Sequence, residues 1–216
     1  MTQVSINTQL LILSLGAMPS RMSIDKFQQL CSITSRTTAD ELLNYLSNSA
    51  IGKLSGDCVS FSQSDKLNTI LLAMAQGCNP EQISKKLRWN DFELFTSMLI
   101  QSAGYTFEKN IVFNNPRMQI DVIGYHYKIA LIIDCKHWMK IHGSNISKFS
   151  TKQIMRAKVF LDKRRDIEAA IPIIVTLHDH KYNFYDNIPI VPISRFGEFL
   201  QNFPFNLDRL HCIRRK

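Results

Sequence analysis

The segment IALIIDCKHW, residues 129–138, constrains the fold of this chain more than any other. It begins with five apolar residues and continues directly into Asp134, Cys135 and Lys136. An apolar run of this length is typical of a strand buried on both faces, as in the interior of an α/β sheet. Charged side chains at the end of such a strand cost free energy unless something pairs with them. The fold must therefore supply partners for Asp134 and Lys136.

A second acidic residue is predicted to lie beside this strand end. Asp121 stands in MQIDVIG, residues 118–124, a strand-like segment that a short turn separates from the buried run. Strands joined in this way are neighbours, so the carboxylates of Asp121 and Asp134 are expected to meet on the sheet. Side chains alternate along a strand, which places Lys136 on the face of Asp134 and Cys135 on the opposite face.

Two carboxylates that share one point of a sheet predict either a metal ion or an ion pair. Like charges at short range repel strongly unless a cation lies between them. Mg²⁺ meets this need because it prefers carboxylate oxygens and keeps several of its waters, and we expect Mn²⁺ to substitute for it. A structural salt bridge between Lys136 and either Asp121 or Asp134 remains an alternative on spacing alone.

The second half of the chain, residues 89–216, has the pattern of an α/β domain. A helix at the start precedes three strands, and a long basic helix separates these from two further strands and a last helix. This order predicts a mixed β-sheet flanked by helices. The predicted helices are 90–103, 149–169 and 194–202, and the predicted strands are 106–113, 118–125, 128–135, 171–177 and 188–193.

The first half, residues 1–88, has the pattern of a mostly helical domain. The predicted helices are 7–16, 24–31 after a cap at Ser23, a segment to about 46 after a cap at Thr34 or Ser35, 64–76 and 80–87, with a hairpin at 51–62. This order is typical of a winged helix-turn-helix domain, in which Arg36 would stand near the start of the groove-reading helix. Two alternatives remain open: the polar residues there only cap the helix, or the domain contacts protein, since its net charge is only +2.

Positive charge is concentrated behind the buried strand. The 216-residue chain carries 26 Lys and Arg against 18 Asp and Glu, and residues 136–165 hold nine basic residues with Asp162 as the only acid. A local excess of this size predicts a polyanion partner, most simply DNA, or else a solvated helix face. The residues predicted to hold phosphates are Lys140, Lys148, Lys152, Arg156 and Lys158.

Three segments carry a resemblance to a known family: FELFTSMLIQSAGYTFEKN at 92–110, QIDVIG at 119–124 and IIDCKHW at 132–138. Together with the closing PIVPISRFGEFL, they resemble the PD-(D/E)XK nuclease superfamily, which has the restriction-endonuclease-like fold. The likeness is greatest to archaeal Holliday junction resolvases and Mrr-type restriction endonucleases. A winged-helix domain also precedes such a nuclease in some archaeal relatives. The resemblance thus implies a restriction-endonuclease-like sheet behind a winged-helix domain.

The resemblance implies a set of site residues. Family members carry an acid in the first helix, an acid in the second strand and (D/E)xK in the third, and these positions match Glu93, Asp121, Asp134 and Lys136. Gln153 matches a glutamine that the family often has in the next helix, and the backbone carbonyl of Cys135 would face the metal. One departure is that Asp134 stands where Glu is commoner. Glu93 would bind metal directly or through water, or would instead close a capping box with Asn90 as N-cap.

These features predict a metal-dependent DNA endonuclease that hydrolyses phosphodiester bonds in repair, recombination or restriction, with junction or branched DNA among its candidate substrates. The alternative is a DNA-binding or scaffolding protein whose nuclease fold no longer cuts. Cutting two opposed strands needs two sites, which favours a homodimer. No organic cofactor is expected, and no apolar stretch reaches the length of a membrane span. Five cysteines without a CxxC pair favour a cytoplasmic protein.

Overall fold

The computed structural model describes residues 7–136 and 143–215, and for 143–145 it describes the backbone alone. The chain divides into two compact units, with the boundary between Leu87 and Arg88. Lys140, one of the predicted phosphate contacts, lies outside the described residues. Within the described ranges, no helix combines the length and the apolar character that crossing a membrane requires.

The first unit is mostly helical and contains a small antiparallel sheet. Its elements are α1 (Thr8–Ser14), a 3₁₀ turn (Leu15–Ala17), β1 (Arg21–Ser23), α2 (Ile24–Leu30), α3 (Arg36–Asn48), β2 (Lys53–Ser55), β3 (Cys58–Ser60), α4 (Gln63–Ala75) and α5 (Pro80–Ser84). Ser23 and Ser35 cap α2 and α3 as predicted, each accepting a backbone N–H from three residues ahead. The sequence pattern missed β1, which pairs with β3 in the order β1-β3-β2. The winged helix-turn-helix interpretation of this unit stays a prediction.

Acidic side chains surround Arg36 at the start of α3. Its guanidinium lies 2.5 Å from the carboxylate of Asp25, 2.5 Å from that of Asp57 and 3.2 Å from that of Asp40. These ion pairs tie α2, α3 and the turn between β2 and β3 together at the surface. Three carboxylates around one guanidinium leave a net negative charge, which repels phosphate. The structure therefore argues against the predicted nucleic-acid contact of Arg36.

The second unit is built on a seven-stranded mixed sheet. Its elements are α6 (Trp89–Ser102), β4 (Thr106–Asn114), β5 (Arg117–His126), β6 (Ile129–Lys136), α7 (Gly143–Lys163), β7 (Ala169–Thr176), β8 (Phe184–Tyr185), β9 (Ile188–Pro192), α8 (Ile193–Asn202), a 3₁₀ segment (Phe203–Arg209) and β10 (Ile213–Arg214). The strand order is β4-β5-β6-β7-β9-β8, and β10 pairs with the start of β7. The strands β6, β7 and β9 are parallel, while β4, β5 and β8 pair antiparallel with their neighbours.

Helices cover both faces of this sheet. The helix α7 packs on one face, where Ile132 and Phe160 belong to the same core cluster. The helix α6 packs on the opposite face, where the sulfur of Cys135 lies 3.6 Å from Oγ1 of Thr96, and α8 packs against α6. The predicted mixed β-sheet flanked by helices is therefore confirmed.

Helix α7 begins and ends earlier than predicted. It spans residues 143–163 in place of 149–169, and Ala169 and Ala170 belong to strand β7. Alanine favours helices, but both alanines pair here with β6 and with β10, so sheet hydrogen bonds override helix propensity. Arg215 also closes the end of α7 by donating hydrogen bonds to two backbone carbonyls there.

Candidate active site at the sheet opening

The sheet opens between β5 and β6 at the end that carries the predicted site. The pairing of β5 with β6 extends only as far as Val122 opposite Ile133. The neighbouring strand pairs extend beyond this point. The strand β4 pairs with β5 to the first residue of β5, and β6 pairs with β7 as far as Lys136. The strands β5 and β6 therefore separate beyond Val122, and Asp121 and Asp134 are the next residues on each side of the gap.

Asp121 completes a backbone hydrogen bond at this opening. Its Oδ2 accepts the N–H of Cys135 at 2.8 Å, so the side chain satisfies a donor of β6 that the strand pairing leaves open. The register places Asn110 opposite Asp121, but the two are missing from the pairing, and Asn110 has a φ of 55°. Ile120 and Ile123 pack in one core cluster, although their odd spacing would put them on opposite faces of a regular strand. The regular alternation of side chains between the two faces of β5 is thus interrupted at Asp121.

Asp134 and Lys136 lie on the same face of β6, as the alternation predicts. The ammonium group of Lys136 is 2.9 Å from the carboxylate of Asp134, a side chain that is only 2% exposed. The same ammonium lies 5.7 Å from the ring centre of Trp89 and 5.5 Å from that of Phe149, within the range of cation–π attraction. An acid and two aromatic rings therefore hold Lys136. The ion pair that spacing alone left as an alternative to a metal site is present.

Glu93 lies beside this site and does not cap its helix. Helix α6 begins at Trp89, so Asp91 occupies the third helical position and accepts the N–H of Arg88 at 3.4 Å. The predicted capping box of Asn90 and Glu93 is wrong, because the helix starts two residues earlier than that box requires. The carboxylate of Glu93 instead accepts the indole N–H of Trp89.

Electrostatic coupling joins three acids at the opening into one cluster. The pKa of Asp121 is raised to about 6, first by burial and next by the carboxylate of Asp134, while the hydrogen bond from Cys135 opposes the shift. The pKa of Glu93 is also raised, mainly by burial, and the charge of Asp134 adds to this effect. A charge that shifts the pKa of a carboxyl group lies within short electrostatic range of it. Glu93, Asp121 and Asp134 are therefore the acidic cluster of the site.

The oxygens of the acidic cluster suit a hard divalent cation. Mg²⁺ and Mn²⁺ take carboxylate and carbonyl oxygens, which Asp121, Asp134 and the backbone of Cys135 provide. Within residues 7–136 and 143–215, no three His, Cys, Asp or Glu side chains are grouped closely enough to hold a metal by themselves. A cation here would thus depend on two carboxylates, a carbonyl and water. The thiol of Cys135 points to the other face of the sheet, and burial raises its pKa, so it offers no thiolate ligand.

Gln153 lies on the sheet-facing side of α7 and links this helix to two strands. Its side chain is fully buried, and its amide nitrogen donates to the carbonyls of Ile132 at 2.6 Å and Ile173 at 3.0 Å. The amide oxygen of Gln153 accepts a hydrogen bond from Nη1 of Arg156 at 3.0 Å. Nη1 of Arg156 also donates to Oδ1 of Asp134 at 2.7 Å. The structure thus connects Gln153 to the acidic cluster through Arg156.

The predicted phosphate contacts lie along α7. Lys148, Lys152 and Arg156 follow one another at intervals of four residues, so they form a line along the helix that ends at the site. Lys148 and Lys152 are exposed, whereas Arg156 is partly buried. Lys158 is exposed as well, but it lines a separate depression beside β10. Of these four residues, the structure brings Arg156 into the site.

Sequence reasoning did not identify Trp89 and Phe149 as part of the site. Trp89 stands four residues before Glu93, and Phe149 stands seven residues before Arg156. Both spacings place the members of a pair on one helix face, which is the signal that was available. Neither spacing reveals the contact with Lys136, because that contact joins α6, α7 and β6.

The fold and the site together define the class of this protein. It is an α/β protein whose mixed sheet opens onto the acidic cluster and a lysine. No family model matches the chain. An uncharacterized protein of Archaeoglobus fulgidus is 29% identical to it over 127 residues, which cover 56% of this chain and 95% of that protein.

Two solved structures show a distant likeness to the chain. Protein VC1899 from Vibrio cholerae is 11% identical with a TM-score of 0.43, and the match covers 95% of this chain and 57% of that one. The chain therefore spans less than two thirds of VC1899. The small subunit of the heterodimeric restriction endonuclease R.BspD6I is 14% identical with a TM-score of 0.38, over 61% of this chain and 77% of that one. Both TM-scores are below 0.5, so the case for a function rests on the site itself.

Proposed function

We propose that this protein is a metal-dependent endonuclease that hydrolyses phosphodiester bonds in DNA. The observation that carries the proposal is the arrangement at the sheet opening: the carboxylate of Asp134 raises the pKa of the neighbouring Asp121, and the ammonium of Lys136 lies 2.9 Å from Asp134. Charged groups gathered in a buried position cost stability, and such groups are concentrated at functional sites.

Asp121, Asp134 and the carbonyl of Cys135 would hold the divalent cation, with Glu93 reaching it through a coordinated water. When bound, Mg²⁺ or Mn²⁺ supplies a Lewis acid that lowers the pKa of a coordinated water. The residues Asp121 and Asp134 are 8% and 2% exposed, so little bulk water weakens their electrostatic interactions.

Lys136 would act on the attacking water and on the reacting phosphate. Asp134, Trp89 and Phe149 hold its ammonium in place, so the group needs no rearrangement before the reaction. A fixed positive charge at this point stabilises the negative charge that develops on the phosphate oxygens during hydrolysis. This role is catalytic, because the ammonium would contact the reacting atoms.

The basic residues of α7 would hold the DNA backbone beside the site. Lys148 and Lys152 are exposed and lead along the helix to Arg156, and we include Lys140 and Lys158 among the contacts. Contacts to phosphate position a nucleic acid but carry no sequence information. We therefore propose that the enzyme recognises the shape of its substrate, with branched DNA such as a four-way junction as the first candidate.

A second candidate function is DNA binding or scaffolding without cleavage. One observation favours it: the carboxylate of Asp134 already has two cationic partners, Lys136 and Arg156. In addition, the described residues hold no ready group of three metal-binding side chains. A site of this kind is stable without a cation and would still leave the exposed lysines of α7 to bind phosphate.

A cleavage assay separates the two functions. Junction, flap, duplex and single-stranded DNA are each incubated with the protein and Mg²⁺ or Mn²⁺. We expect cleavage of at least one substrate, and its loss in Asp121→Ala and Asp134→Ala proteins that keep the circular dichroism spectrum of the wild type. Asp162→Ala, which removes an exposed acid of α7, is the matched control and should cut normally. Binding without any cleavage by the wild type would favour the scaffolding function.

We also propose that the enzyme acts as a homodimer in the cytoplasm. Two antiparallel strands present two reactive phosphates related by a twofold axis, which a symmetric dimer matches. All five cysteines are free thiols, in keeping with a reducing compartment. Light scattering on the purified protein, alone and with junction DNA, measures the assembly; one protomer bound per junction would contradict the dimer.

A further inference from the structure

The carboxylate of Asp134 is occupied by two cationic side chains in the free protein. The ammonium of Lys136 lies 2.9 Å from it, and Nη1 of Arg156 lies 2.7 Å from its Oδ1. Asp134 is 2% exposed and the side chain of Arg156 is 23% exposed, so the second ion pair is shielded from water on one side and open to it on the other. A cation that binds Asp134 would therefore meet Arg156.

Only one of the three guanidinium nitrogens of Arg156 donates hydrogen bonds to residues that the structure describes. The two hydrogens of Nη1 are used by Oδ1 of Asp134 and by the amide oxygen of Gln153. The nitrogens Nε and Nη2 make no hydrogen bond to any residue that the structure describes. The pair Nε–H and Nη2–H forms one edge of a guanidinium, which matches two oxygens of a phosphate. Gln153 is itself hydrogen-bonded to the backbone of Ile132 and Ile173. It can therefore keep Arg156 near the site when the ion pair between Arg156 and Asp134 is broken.

Charge balance favours an exchange over simple addition of a cation. When ionised, the acidic cluster carries one more charge than Lys136 and Arg156 together neutralise. A divalent cation added to these five groups would leave the site positive, with a guanidinium held against a metal. If the cation replaces Arg156, the cluster becomes neutral, and the released guanidinium needs a new anion. The phosphate of bound DNA is that anion.

We propose that Arg156 exchanges its partner during binding: it occupies Asp134 in the free protein, and it moves to a DNA phosphate when a divalent cation takes its place. The inference rests on the proposed function. It adds that cation and DNA bind cooperatively. The cation releases Arg156 from Asp134 to bind a phosphate, and the phosphate draws Arg156 away from the position that the cation occupies. Linkage then requires that DNA raises the affinity for the cation by the same factor as the cation raises the affinity for DNA. Arg156 is a positioning residue in this scheme.

The test measures cation affinity rather than activity. Mn²⁺ alone is titrated by calorimetry into the wild type, Arg156→Gln and the control Arg165→Gln, which removes an exposed arginine that lies beyond α7. Because the competing guanidinium is absent, we expect Arg156→Gln to bind Mn²⁺ about tenfold more tightly than the wild type. Arg165→Gln should match the wild type. Loss of a supporting hydrogen bond would predict the opposite sign, so a merely structural role gives a different result.

The cooperativity is tested with a short DNA duplex whose integrity is checked on a denaturing gel. DNA should raise the affinity of the wild type for Mn²⁺ and leave the Mn²⁺ affinity of Arg156→Gln unchanged. Arg156→Lys keeps the positive charge and should restore part of the increase in Mn²⁺ affinity that DNA causes. It also serves as the second variant should Arg156→Gln fail to fold. Equal or weaker Mn²⁺ binding by a folded Arg156→Gln would overturn the exchange while leaving the nuclease proposal intact. Absence of Mn²⁺ binding to the wild type and to Arg156→Gln, with or without DNA, would overturn the proposed function as well.

Discussion

Lys136 combines an ion pair with two aromatic contacts, and this combination sets the clearest expectation for a single residue. Replacing Lys136 by Met keeps much of the stem but removes the charge, so the site loses its stabilisation of the reacting phosphate. We expect cleavage to fall by about 10²-fold or more, the usual cost of losing a preorganised charge. Single-turnover cleavage measures the effect, and the melting temperature checks the fold.

Lys163 provides a matched control for this substitution. Its ammonium lies 5.6 Å from the ring centre of Phe113, at the far end of α7, so Lys163→Met also removes a lysine from an aromatic ring. This variant should cut at the wild-type rate. Equal rates for Lys136→Met and the wild type would exclude Lys136 from catalysis.

Asp121 makes the stability of the protein depend on pH. Its pKa is raised from 3.8 to about 6 by burial and by the carboxylate of Asp134, so the folded state holds the proton more tightly than the unfolded state. Stability is therefore highest when Asp121 is protonated, and it falls as the pH rises from about 4 to about 6. Asn resembles the protonated acid and still accepts the N–H of Cys135, so Asp121→Asn avoids this loss.

We expect Asp121→Asn to be more stable than the wild type by about 2–3 kcal/mol at neutral pH and equally stable near pH 4. Urea unfolding in the presence of a chelator measures the difference across this range. Adding Mn²⁺ should reverse the order, because only the wild type keeps both carboxylates. Parallel stability curves for the two proteins across this pH range would refute the prediction.

At the scale of elements, Gln153 anchors α7 on the two central strands. Gln153→Leu fills a similar volume but removes the hydrogen bonds to Ile132 and Ile173 and the acceptor of Arg156. We expect a loss of about 1–3 kcal/mol in the free energy of unfolding, as for other buried hydrogen-bonding groups. Denaturant unfolding measures it. Thr151→Leu, which removes a bond within the exposed side of the same helix, should cost less than Gln153→Leu.

Helix boundaries show where sequence reasoning works for elements and where it fails. The starts of α2 and α3 follow from Ser23 and Ser35, because a cap is a hydrogen bond between residues three apart. The end of α7 could not be predicted in this way. Ala169, which the predicted helix included, belongs to β7 because β6 and β10 offer it strand partners, and those partners are distant in sequence.

At the scale of the whole molecule, charge is arranged unequally between the two units. Arg36 is neutralised by three aspartates, whereas Lys148 and Lys152 are exposed on α7. Phosphate contacts make DNA binding weaken with added salt, and each contact that is removed lowers the slope by about 1. We expect Lys148→Gln with Lys152→Gln to weaken binding and reduce the salt slope by about 2. Fluorescence anisotropy at several salt concentrations measures both quantities.

Arg36→Gln tests the other unit in the same assay. The acids around Arg36 already oppose phosphate, so this variant should bind DNA with the affinity and salt slope of the wild type. A clear loss of DNA affinity in Arg36→Gln would restore the predicted groove contact. The comparison also reports which unit holds DNA.

The sequence by itself determines the features that depend on short-range periodicity. Strand alternation puts Lys136 next to Asp134 and turns Cys135 to the other face, and both placements are confirmed. The hairpin order of β5 and β6 predicts that Asp121 and Asp134 approach each other, and the carboxylate of Asp134 raises the pKa of Asp121 as this proximity requires. These predictions hold because alternation and tight turns follow from local backbone geometry.

The tertiary structure alone decides what each charge finds as a partner. Arg156 reaches Asp134 across 22 residues of chain, and Trp89 and Phe149 meet Lys136 from two different helices. The gap between β5 and β6 likewise depends on where the strand pairing stops. Such contacts depend on how whole elements pack against one another, and no local pattern of residues specifies that packing.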